Sequence, residues 1–196
     1  HQRGEQGGHS PSTPGPAKGC VSVPPPMILT ALALLVVSAE PAAPARPVTK
    51  VESVKGKAVT VKGKLEDGSP MEDLQWAADS SNACFPATQF SKFKGNHVLF
   101  QTSIPVRSAM DITVKPDDPA QDLSIYAYSI GDDVRLPPKL PSCVSCEAEH
   151  KLDRPKKGKT QDDTRTVQLR AVGNPFQVVI GITGPAAATR GGFTVT

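Results

Sequence analysis

Aromatic side chains are scarce: one Trp, two Tyr and six Phe in 196 residues. So few rings exclude a cofactor cage built from aromatics and leave little bulk for a helical-bundle core. Neither charge sign dominates, because 22 Lys and Arg stand against 19 Asp and Glu for a net +3. A dedicated nucleic-acid binder needs a clustered basic face, so that class is set aside. No apolar run approaches the roughly 20 residues of a membrane-spanning helix. Catalytic signatures are missing too: the sequence has no G-x-S-x-G elbow, no H-E-x-x-H pair and no Gly-rich phosphate loop. No repeat of 20–50 residues is present.

What the sequence has in excess is proline and glycine, 20 and 16 residues, about 18% against roughly 12% in ordinary usage. The excess is uneven. Nine of the prolines lie within residues 1–47, and every aromatic lies at Trp76 or later. Residues 1–26 have almost no large apolar side chain and read as a disordered leader. The run MILTALALLVV at residues 27–37 has the length of a signal-peptide core, and Val37-Ser38-Ala39 places small residues at a cleavage site. Residues 27–39 are therefore expected to direct export, with residues 40–50 a Pro/Ala linker and residues 51–196 the folded domain. The expected location is periplasmic or extracellular, and the mature chain is expected to carry no transmembrane helix.

From residue 51 onward the pattern is β. Apolar and polar residues alternate with period two, the mark of strands with one buried face. Such segments are 58–61, 97–102, 110–114, 123–128, 167–171, 176–182 and 193–195. The stretch 70–78 (PMEDLQWAA) fits a helix face poorly and serves equally as a strand entry. Turns rich in Pro, Gly and Asp separate the strands, and no βαβ spacing is present. The expected fold is all-β, an antiparallel two-layer β-sandwich of jelly-roll type. Alternation places Tyr126, Tyr128 and Arg170 on faces opposite the core, as a candidate surface for a protein or polysaccharide partner.

Three cysteines remain after the expected cleavage: Cys84, Cys143 and Cys146. An exported chain meets an oxidising compartment, so a disulfide is the first reading, Cys84 with Cys143 or Cys146, or Cys143 with Cys146. Zinc held by Cys84, Cys143, Cys146 and His150 is a second. A thiol oxidoreductase using Cys143 and Cys146 is a third, although its usual βαβ setting is missing. Carboxylates gather at Asp111, Asp117, Asp118, Asp122, Asp132 and Asp133, where turns are expected. Extracellular calcium sites use such oxygen-rich loops, but the spacing matches no EF-hand. His97, at the head of a strand, reads as a hydrogen-bonded turn residue, and the basic run 151–159 as an exposed loop.

Residues 93–128 carry a further pattern. A strand holding Phe100 ends at Ile104-Pro105; a strand with Met110, Ile112 and Val114 follows; an acidic turn leads to Asp122-Leu123 and Tyr126. Together with residues 174–182 and 192–195, this resembles bacterial pre-peptidase C-terminal domains. Val106-Arg107-Ser108 replaces that family's usual turn glycine, and the Cys143–Cys146 stretch lies outside its general pattern. The resemblance implies a jelly-roll accessory module of exported enzymes, without catalytic activity of its own. It also implies possible calcium ligation at Asp117, Asp118 or Asp122, with no other cofactor. A different class is a structural envelope component that assembles through its sheet edges.

Overall fold

The computed structural model describes residues 46–196, apart from 86, 133–134, 155–156 and 159. The expected leader, export signal and most of the linker lie outside the described residues. Ten strands form two sheets: β1 (Val48–Lys50), β2 (Val61–Lys64), β3 (Ser69–Pro70), β4 (Asn96–Ile104), β5 (Ser108–Pro116), β6 (Ser124–Ile130), β7 (Ser145–Glu149), β8 (Arg165–Ala171), β9 (Phe176–Thr183) and β10 (Gly192–Val195). One sheet runs β1-β4-β9-β6-β7, with β3 also paired to β4; the other runs β2-β10-β5-β8.

The pairs nest. β2 pairs β10, β4 pairs β9, β5 pairs β8 and β6 pairs β7, all antiparallel. The chain is thus one long hairpin rolled so that its arms alternate between layers, which is the connectivity of a jelly roll. The all-β sandwich expected from alternation is the observed architecture.

Two boundaries differ from expectation. The folded part starts before residue 51, since β1 pairs with β4 and Arg46 donates to the carbonyls of Ser69 and Pro70, each at 2.8 Å. The β1–β4 pair is parallel, an exception to an otherwise antiparallel sandwich. It forms because 45 residues separate the two strands, ample chain for the crossover that parallel pairing requires. The strand expected at 58–61 begins only at Val61, as β2, so 58–60 belongs to the loop before it.

The inter-sheet core follows the alternation: Val98, Phe100 and Ile104 from β4, Ile112 and Val114 from β5, Ile125 and Ala127 from β6, and Val178, Ile180 and Ile182 from β9. A second core lies on the outer face of the first sheet, where Met71, Leu74, Phe85, Phe93 and Leu140 close over Tyr126, Tyr128, Ile130 and Val179. Its roof is an irregular segment with 3₁₀ turns at Gln75–Ala77 and Ala87–Phe93. β6 is consequently buried along its whole length.

This roof corrects the expectation that Tyr126 and Tyr128 form an exposed binding surface; both are 0% exposed. Alternation assigned them to the right face, and the roof then removed that face from water. Rings of this size bury about 200 Å² each, part of it polar, on the order of 3 kcal/mol per ring. Tyr126 lies across Gly181, its register partner on β9, where any Cβ would collide with the ring. Phe193 lies across Gly63 in the other sheet in the same manner. Each glycine makes room for a ring to lie flat on the neighbouring strand.

Candidate functional site

Two places gather chemistry. The first is the edge of the roof, where the three cysteines meet. Cys84 closes the loop after the first 3₁₀ turn, its N–H donating to Ala77 O at 3.1 Å. Cys146 stands on β7 opposite Tyr128, and Cys143 precedes that strand. Cys143 N–H donates to Ser81 O at 3.0 Å, and its thiol lies 3.4 Å from the same oxygen. The Cys146 thiol reaches Ala83 O at 2.9 Å. The neighbouring Cys146 thiol, then burial, pushes the Cys84 thiol far up, while the Cys84 and Cys143 thiols lower Cys146 against the opposing effect of its burial. Burial, then Cys146, lifts Cys143 to about 11. All three are free thiols in this structure. Cys143 and Cys146 lie at the entry to a β-strand, away from the strand-to-helix turn of a thioredoxin-like site.

His97 supports the same roof from beneath. Its Nε2 lies 2.8 Å from Phe93 O, and its Nδ1 lies 3.0 Å from the Tyr126 hydroxyl. A carbonyl only accepts, so Nε2 carries the proton and Tyr126 donates to Nδ1. Burial lowers His97 to about 4, which keeps it neutral at physiological pH. Buried and bonded on both nitrogens, it is a structural tie, as the turn-residue reading expected in kind though not in depth. His150 is also lowered, chiefly by burial and then by Lys92. Its ring packs edge-on against Phe93, 5.9 Å between centroids.

The carboxylate loop does not assemble as a ligand set. Asp118 Oδ1 accepts from Ala120 N at 2.9 Å, closing a turn on itself. The Asp117 carboxylate packs against Gly192, and Asp122 is half-buried. Among the described residues no three or more His, Cys, Asp or Glu side chains are arranged to hold a metal ion. That finding covers the calcium candidates Asp117, Asp118 and Asp122, and the cysteine–His150 zinc set.

The second place is one that sequence reasoning missed. A cleft of about 810 Å³ opens at one end of the sandwich, between β4 of the first sheet and β2, β10 and β5 of the second. Residues 51–60, expected in part to be a strand, form its outer wall and turn at Gly56, φ +76°. Its floor is apolar: Phe100, Ile104, Ile112, Ile180 and Val195, with Met110 half-buried at the side. The buried hydroxyl of Thr102 also lines it and makes no hydrogen bond. Lys55, Lys57 and Arg107 rim it, with Asp111 as the one acid among its lining residues. Val54, at the rim, is 43% exposed. The only signal in sequence was negative: the 51–60 stretch lacks sustained alternation.

Arg170 does remain exposed, on β8. It bonds to Gln168 Oε1 and lines a shallower depression of about 460 Å³ between β7 and β8, far from Tyr126 and Tyr128 in role and on the other sheet. No helix among the described residues is long and apolar enough to cross a membrane.

No family model matches the chain, and no curated protein matches it. Among solved structures, the chain is similar to the pre-peptidase C-terminal domain of a collagenase from Bacillus anthracis, with a TM-score of 0.42 and 8% identity, covering 79% of this chain and 97% of that one. It is also similar to PliG of Aeromonas hydrophila, a periplasmic inhibitor of g-type lysozyme, with a TM-score of 0.33 and 12% identity, covering 78% of this chain and 98% of that one. These likenesses concern the fold, and no residue of either protein is carried onto this one.

Proposed function

We propose that this chain is a non-catalytic accessory module, acting outside the cytoplasm by holding a protein partner in the cleft between its sheets. The observation that carries the reading is the cleft itself. Its apolar floor and half-buried Met110 suit inserted apolar side chains. The basic rim of Lys55, Lys57 and Arg107 favours a partner segment flanked by carboxylates. A polysaccharide would want exposed aromatic platforms, and Tyr126 and Tyr128 are sealed beneath the roof.

The alternative of assembly through sheet edges has less support at the β7–β8 side. There the Glu149 carboxylate accepts from Thr166 N on the outer edge of β8, occupying a donor that an added strand would need. The test is a photo-crosslinking residue placed at Val54 in the full chain, with Arg170 as the comparison site. A protein adduct from Val54 with none from Arg170 supports the proposal. Adducts from both in equal yield, or from neither, contradict it.

A further inference from the structure

We propose that the oxidised chain carries a disulfide between Cys84 and Cys146, leaving Cys143 as a thiol. Of the three sulfurs Cys146 is the central one. Its neighbours on the facing segment are Asn82 O at 4.0 Å and Ala83 O at 2.9 Å, directly before Cys84. Cys143 is held farther back along the same segment, by two contacts to Ser81 O. Cys84 lies against both the Cys146 thiol and the Tyr128 hydroxyl, while Cys146 lies against Cys143 as well. Joining these two closes a far longer loop than Cys143–Cys146 would, so it removes more freedom from the unfolded chain.

The bridge also has a structural meaning. It ties the loop before Phe85 to β7, and so fastens the roof to the sheet it covers. The oxidant is a small-molecule disulfide. The Cys146 thiolate attacks one of its sulfurs, expelling one thiolate and leaving a mixed disulfide on Cys146. Cys84 then attacks the Cys146 sulfur and expels the second thiolate, which takes up the Cys84 proton. Two protein thiols lose two electrons, and the oxidant's S–S bond becomes two thiols. Cys146 deprotonates more readily than Cys84, which suits it to the first attack.

The test is peptide mapping of the full chain after incubation with oxidised glutathione, with free thiols alkylated and Cys20 followed on its own peptide. The expected result is a Cys84–Cys146 linkage with Cys143 alkylated. Cys143→Ser should keep that linkage in full, and Cys146→Ser should cut internal bridging at least tenfold. A Cys143–Cys146 linkage, a Cys84–Cys143 bridge undiminished in Cys146→Ser, or three alkylated thiols would each overturn the proposal.

Discussion

Arg107 holds φ +55°, in the left-handed region where a side chain costs energy and glycine does not. It sits in the turn between β4 and β5, and it rims the cleft. Lys55 donates to its carbonyl at 3.3 Å, tying the outer wall of the cleft to this turn. A charged residue thus costs backbone energy at the mouth of the cleft. Arg107→Gly should raise stability by up to about 1 kcal/mol, read as a higher melting temperature, and should weaken crosslinking from Val54. A variant that melts lower, or one that crosslinks as before, would contradict this role.

At the scale of elements, the roof is held by His97, and its pH response follows. The folded-state value near 4 lies below the ordinary 6.5, so the unfolded chain takes up this proton first as pH falls. The stability tied to neutral His97 is present in full above about pH 6.5. It is lost progressively between pH 6.5 and 4, on the order of 3 kcal/mol in all. Denaturant midpoints measured from pH 7.5 to 4 should fall, and His97→Gln should flatten that dependence. An equally steep fall in the variant would remove His97 from the explanation.

Which elements were readable follows the same physics. β4, β5, β6, β8, β9 and β10 each alternate against the inter-sheet core, and period two reports that directly. β7 (SCEAE) sits at a sheet edge with no residue fully buried and no large apolar side chain, so it carried no strand signal. β1 has three residues and depends on β4, a long-range pairing that leaves no local trace. The roof was illegible because 3₁₀ turns have no amphipathic period. Its apolar residues, Met71, Leu74, Phe85 and Phe93, are spaced for a surface that exists only after folding. The same omission made Tyr126 and Tyr128 look exposed. The cysteines could be gathered by sequence but not ordered, since order depends on how the 81–84 loop meets β7.

The described domain is a rolled hairpin with unequal ends and faces. One outer face is sealed by the roof, the β7–β8 side is occupied by Glu149, and the cleft opens between the layers at β4, β5 and β10. The scarcity of aromatics sharpens the picture. Trp76, Phe85, Phe90, Phe93, Tyr126 and Tyr128 are spent on the sealed side, so the cleft is left aliphatic apart from Phe100. The proposed holding of apolar protein segments rests on that division. Met110→Trp tests it most directly, because the larger ring fills the cleft from its side wall without touching the roof. With secondary structure by circular dichroism unchanged, the account predicts at least a tenfold loss of the Val54 protein adduct. An adduct of undiminished yield in Met110→Trp would contradict it.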